Sequence, residues 1–174
     1  MSRSKKLIVT ALFLIGACIL LYPAVSNKLA ERHQAEMISR YEQTVEELPK
    51  TDMKSEWEKA VKYNESVTGM SVEDPFILGS GSVLPGNYKD VLNVEEKEGV
   101  MGYIPAIDVM LPIYHGLSER VLRRGVGHME TTALPIGGKG THSVLASHRG
   151  LSTAKLFTDL DRMKEGDLFY IHVL

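Results

Sequence analysis

From Leu7 to Tyr22 the sequence reads LIVTALFLIGACILLY, with Thr10 its only clearly polar member. Pro23-Ala24-Val25 carries the run toward the roughly 20 residues that cross a bilayer as a helix. A helix apolar on every side offers no face to water, so it belongs in lipid and not on the surface of a soluble domain. Arg3, Lys5 and Lys6 precede the run, and no Asp or Glu occurs before Glu31. The positive-inside rule then places residues 1–6 in the cytoplasm, residues 7–25 in the membrane as a signal-anchor, and everything after Val25 outside. The alternative is a cleaved export signal with Ala24-Val25-Ser26 as its small-residue site. Length favours retention, and so does the direct passage into a helical pattern at Asn27-Lys28-Leu29-Ala30. Either way the body of the chain is exported.

That body is long enough, in a chain of 174 residues, for one ordinary domain with accessory structure. Setting aside the three basic residues of the tail leaves 17 Lys and Arg against 22 Asp and Glu, a mildly acidic surface. Nucleic-acid binding needs clustered cations that release counterions from phosphates, and is excluded as a partner class. Cys18 is the one cysteine, so an intrachain disulfide, a CxxC redox pair and a thiolate zinc site are all ruled out for this sequence. It lies within the apolar run, where burial disfavours the thiolate, and reads as a small hydrophobe.

Outside the membrane, Ala30, Met37, Tyr41, Val45 and Leu48 recur at helical spacing among Glu, Arg and Gln. Pro49 ends that amphipathic helix, and a second helix is predicted over Thr51 to Asn64 with Trp57, Val61 and Ala60 on its apolar side. Together these form a helical segment over 26–68 that packs as a hairpin on a domain. Gly69, Pro75, Gly79, Gly81, Pro85 and Gly86 then mark 69–90 as a long irregular loop, a length that in compact domains usually signals function. From Gly99 the texture is strand-like: MGYIPAIDVMLPIYHG carries β-branched and aromatic residues, with Pro105 and Pro112 suited to edges or bulges. GTHSVLASHRG reads as a strand running into a turn at Gly150, KLFTDLDRMKEGD as a helical turn closed by Gly166, and LFYIHVL as a further strand. Gly137-Gly138-Lys139-Gly140 lacks the spacing of a phosphate loop and reads as a hairpin turn.

Of six histidines, His33 and His172 have no supporting context, and His115 in YHG reads as a turn residue. His128, His142 and His148 match no metal-ligand spacing and have no carboxylate beside them in sequence, so no metal site and no cofactor are expected. Ser147 adjoins His148 but is no nucleophile for it, because neighbours on a strand point to opposite faces.

The stretch GVGHMETTALPIGGKGTHSVLASHRGLSTAKLFTDLDRMKEGDLFYIHVL closely resembles the class C, or pilus-specific, sortase family. The resemblance covers Gly99 to Leu174, and the anchor and paired helices are similar to that family's N-terminal arrangement. It implies a mostly β fold, a sortase-type β-barrel whose N-terminal part is 91–174, incomplete here, preceded by the transmembrane helix and the helical pair. The family's catalytic histidine stands in the HRG of a strand-end motif like LASHRG, which is His148 here. Its lid across the active site is anchored by Asp-Pro and an aromatic residue, matched by Asp74-Pro75-Phe76 in the 69–90 loop. METTALP departs from the family pattern by carrying Thr131 where a glycine is expected. The family's cysteine, in a TLxTC-like strand, and its arginine follow the histidine by several dozen residues and would lie past Leu174.

By resemblance, the complete enzyme is a membrane-anchored cysteine transpeptidase of a Gram-positive-type envelope. Its partners are pilin subunits with LPxTG-like sorting signals, which it cleaves and joins through lysine amines. His148 is then the general acid/base, and Arg149 a structural cation in preference to the oxyanion stabiliser. Two other classes compete. One is a non-catalytic, membrane-tethered β-domain that binds pilin or cell-wall components; a metal-dependent hydrolase is a distant third.

Overall fold

The structure is a computed structural model that describes residues 2–69, 86–94, 100–106 and 109–174. Helix α1 spans Arg3–Glu47 and runs unbroken through Pro23, joining the apolar run and the following amphipathic stretch into one rod. Ser2 caps its start by accepting from the Lys5 amide at 3.4 Å. The most apolar window of α1 has a mean hydropathy of 2.4 and none of it is buried against the rest of the chain. A proline inside such a segment is tolerated where the freed carbonyl can be satisfied by neighbouring groups. No helix boundary falls between Val25 and Ser26.

The lower part of α1 buries Gln34, Met37, Ile38 and Tyr41, while Ala30 and Val45 pack at the margin of the cores. Met37 and Tyr41 form a small cluster with Tyr114 and Val121. After Leu48 and Pro49, helix α2 spans Lys50–Val67 and buries Ala60, Tyr63, Asn64 and Val67 in the main core. The expectation that Trp57 and Val61 face inward is therefore corrected: both are exposed, at 42% and 38%. The stripe that wins is one step round the helix, because Tyr63 and Asn64 find backbone partners in the loop beyond the third strand. Ala30 of α1 thus borders the main core that α2 enters, while Met37 and Tyr41 of α1 belong to the smaller cluster.

A 3-10 turn at Tyr88–Asp90 precedes the sheet. Strands β1 (Val100–Ala106) and β2 (Val109–His115) pair antiparallel, with a register shift between Val100 and Gly102. Helix α3 (Glu119–Leu122) then leads to β3 (Val126–His128), parallel to β2, and β4 (Leu145–Ala146) pairs antiparallel with β3. Of the two prolines expected at edges or bulges, Pro105 lies in the edge strand β1 and Pro112 in the inner strand β2. The latter is accommodated because the ladder to β3 begins one residue later, at Ile113 and Val126, so no bond to β3 is asked of its missing N–H.

The sheet order is β1-β2-β3-β4, and the sheet is open. The helices outweigh the strands among the described residues, so a mostly β fold is not what this chain displays; α1 and α2 alone span 45 and 18 residues. LFYIHVL is not a strand: it makes a single bridge at His172, and Leu168, Phe169 and Tyr170 stay exposed. A strand needs a ladder partner to satisfy its backbone, and this segment has no ladder among the described residues. It borders an apolar groove of about 550 Å³ lined in part by Leu134, Leu145, Phe157, Leu160 and Ile171.

Candidate functional site

The antiparallel register of β3 and β4 pairs His128 with Leu145 and Gly127 with Ala146. Two residues further along, the chain after β4 lies beside the start of β3, and Ser147 Oγ donates to the Gly125 carbonyl at 2.6 Å. That start is close-packed: a Cβ on Gly125 would stand 2.5 Å from the Pro112 carbonyl oxygen and 2.9 Å from the Tyr114 ring. Ser147 is therefore committed to the backbone, on the opposite side from its neighbour. The next residue, His148, projects toward α3, the element that immediately precedes β3.

The HRG turn is fastened from the other side by the 155–161 loop. The Phe157 amide donates to the His148 carbonyl at 3.2 Å, and the Gly150 amide donates to Thr158 Oγ1 at 3.1 Å. Gly150 takes φ 75, in the left-handed region that glycine occupies without strain. Arg149 reaches away to Asp161 at 2.7 Å, which accounts for its charge as a structural pair. The His148 side chain is 32% exposed, yet its Nε2 is buried and makes no hydrogen bond among the described residues. Glu119 Oε2 stands 3.4 Å from that nitrogen, within ion-pair reach but outside hydrogen-bond alignment. Glu119 Oε1 accepts from Arg123 Nε at 2.7 Å.

His128 is a different kind of histidine. Fully buried in β3, its Nε2 lies 2.9 Å from the Ala133 carbonyl, which can only accept, so Nε2 carries the proton. Nδ1 then accepts from Tyr88 Oη at 3.0 Å, and Tyr88 Oη accepts in turn from the Gly116 amide at 3.0 Å. Burial drives the imidazole pKa down to about 4 and pushes the Tyr88 phenol upward. Both rings are structural and uncharged at neutral pH. His115 Nε2 meets the Val91 carbonyl at 2.8 Å at the end of β2, a strand-end anchor where a turn residue was expected. Among the described residues no group of three His, Cys, Asp or Glu side chains converges on a metal position.

The sequence reading missed two residues. Tyr88, hidden in the GNYKD turn, is the hub of the buried network. Glu119 carries a local signal, Ser118 followed by an acidic first turn and an arginine four residues on, but nothing local ties it to His148. Asp74, Pro75 and Phe76 lie outside the described residues. Cys18, within the apolar part of α1, is exposed along that helix.

The exposed apolar helix thus leads into a sheet domain that holds the His148 imidazole at a strand end. A family profile described as the sortase domain matches residues 103–173. Sortase C of Streptococcus pneumoniae is 40% identical and superposes with a TM-score of 0.68, over 80% of this chain and 68% of that one. Sortase C1 of Streptococcus agalactiae is 35% identical at TM-score 0.67, over 80% and 70% of the two chains. A pilus-related sortase C of Group B Streptococcus is 35% identical at 0.64, over 76% and 67%. Comparison with curated protein sequences finds no match. The chain belongs to the sortase family, alongside its class C, pilus-specific members. Members of that family are cysteine transpeptidases and are membrane-anchored in Gram-positive cells.

Proposed function

We propose that this chain supplies the membrane anchor, the docking helices and the acid/base histidine of a pilin-joining transpeptidase. The observation that carries this reading is the position of His148: two residues past β4, fastened on both sides, with a buried ring nitrogen that has no hydrogen-bond partner among the described residues. The nucleophilic thiolate and the oxyanion-stabilising arginine of this reading are those of the family's TLxTC-like strand and the arginine after it. The apolar part of α1 holds the domain at the outer face of the membrane, with residues 1–6 inside.

In this reading a cysteine thiolate attacks the threonine carbonyl carbon of an LPxTG-like sorting signal. The threonine–glycine C–N bond breaks as imidazolium His148 gives its proton to the departing amine, leaving the pilin as a thioester. A lysine amine of a second pilin then attacks the thioester, His148 takes the amine's proton, and an isopeptide bond forms as the thiolate leaves. Replacing His148 with alanine in the enzyme that carries the nucleophile should lower cleavage of an LPxTG peptide by at least about a hundredfold. Wild-type turnover by that variant would overturn the reading.

Asp74, Pro75 and Phe76 belong to this proposal as the lid. A carboxylate there pairs with an active-site cation while the aromatic ring covers the nucleophile and the proline fixes the backbone between them. Alanine at both Asp74 and Phe76 should speed thiol labelling of the nucleophile and peptide cleavage; unchanged rates would remove the lid assignment. The competing tethered-binder reading draws on one fact, that the only thiol in this sequence is Cys18, in the apolar part of α1. Reading the source gene past codon 174 separates the two: an in-frame TLxTC-like strand supports the transpeptidase, and an immediate stop supports the binder.

A further inference from the structure

We propose that Glu119 is the positioning residue of His148, its carboxylate orienting the imidazole; the proposal rests on the reading of His148 as acid/base. The topology creates the encounter. β2 and β3 are parallel, α3 forms the connection between them, and the antiparallel return of β4 brings residue 148 level with Gly125, just past the end of that connection. Residues separated by 29 positions in sequence thus come within 3.4 Å, between Glu119 Oε2 and His148 Nε2.

Two features fix the carboxylate. Ser118 caps α3 by accepting from the Val121 amide at 3.3 Å, which sets the backbone of the first turn. Arg123, one turn on, takes Oε1 at 2.7 Å and leaves Oε2 turned toward the histidine. A plain surface pair between Glu119 and Arg123 would leave that second oxygen to water. Instead it faces a buried nitrogen that has no hydrogen-bond partner among the described residues. A shortening of about half an ångström would bring the contact to ordinary hydrogen-bond length. Arg149, the other charge adjoining the histidine, is held by Asp161 and does not compete for the carboxylate.

The first test needs no turnover: long-range proton–nitrogen spectra of the imidazole rings in this chain, for wild type, Glu119→Ala, Glu119→Asp and Arg123→Ala. Glu119 is a surface side chain, and circular dichroism confirms that each variant is folded. The His148 ring-nitrogen resonances should move in E119A, move less in R123A, and return toward wild type in E119D, with the His128 ring unmoved. Superposable His148 resonances in wild type and E119A would overturn the pairing.

The second readout, in the enzyme that carries the nucleophile, is kcat against KM. E119Q should lower kcat about tenfold at unchanged KM, with E119D recovering part of it. If His148→Ala abolishes turnover while E119Q turns over normally, the positioning role falls and the acid/base reading stands. If His148→Ala itself turns over normally, the acid/base reading falls.

Discussion

Asn64 and Leu134 bond each other twice: Asn64 Nδ2 donates to the Leu134 carbonyl at 3.1 Å, and the Leu134 amide donates to Asn64 Oδ1 at 2.6 Å. Both residues are buried, so a helix side chain here completes the backbone pairing of a loop that has no strand partner. Tyr63, one residue earlier, donates to the Glu130 carbonyl in the same loop. This pair of side chains is what docks α2 against the segment leading into β4.

Asn64→Ala should therefore be far worse than a surface change on the same helix. It strands a buried N–H and a buried C=O, each costing about 1–3 kcal/mol when unsatisfied. Urea denaturation should show a loss of about 3 kcal/mol, whereas Trp57→Ala, on the exposed side, should stay within about 1 kcal/mol. Equal losses would mean that the reciprocal bonds do not carry the docking.

The buried Asn64 also marks what the sequence could and could not reveal. Hydrophobic spacing picks out helices, and α1 and α2 are where it puts them, but choosing a face by apolarity selects Trp57 and Val61. The face actually buried includes an asparagine, acceptable only because a loop 70 residues away supplies both its partners. The strand character of β1 and β2 was legible from their β-branched and aromatic texture, and a motif singled out His148 as the candidate histidine. LFYIHVL has the same texture as a strand, yet texture cannot supply the neighbour that a ladder requires. Glu119 beside His148 was illegible for a related reason: their meeting depends on the register of β3 against β4.

Tyr88 links three elements through one oxygen, accepting from the Gly116 amide and facing both Nδ1 and the carbonyl of His128. Tyr88→Phe keeps the ring and its packing on Tyr63 and His115 but leaves the Gly116 amide and His128 Nδ1 unpaired. A loss of about 1–3 kcal/mol in chemical denaturation is expected. A neutral substitution would show that water replaces the hydroxyl.

Gly125 and Gly150 need glycine for opposite reasons, and alanine separates them. At Gly125 the obstacle is space, with Pro112's carbonyl oxygen 2.5 Å from a Cβ; at Gly150 there is open room but φ is 75. Gly150→Ala should cost about 1 kcal/mol through backbone strain. Gly125→Ala must part β2 from β3 or shift the Ser147 anchor, and should cost about 2–3 kcal/mol or prevent folding. Thermal unfolding of both variants checks the order, and a milder effect at Gly125 would contradict the packing at the start of β3.

His128 gives the fold a defined response to acid. Its pKa is lowered from 6.5 to about 4, first by desolvation, opposed by the bond to Ala133, with the nearby His115 lowering it further. The groups bonded to its ring are Tyr88, Thr132 and the Ala133 carbonyl, none of them an anion that would favour a charged ring. Above about pH 6.5 neither the folded nor the unfolded state protonates this ring, and its contribution is complete. As pH falls from 6.5 toward 4, the unfolded chain binds a proton that the folded one refuses, so unfolding becomes steadily easier. Across that window the loss approaches about 3 kcal/mol, at 1.36 kcal/mol per pH unit. Replacing His128 with glutamine, which offers a donor and an acceptor but no titration, should flatten this part of the profile even where it lowers stability at pH 7. The measurement is the urea midpoint of both proteins between pH 7.5 and pH 4.5. Parallel curves would mean that the imidazole takes up its proton as readily in the folded state as in the unfolded one, and would contradict its exclusion from the charged form by burial.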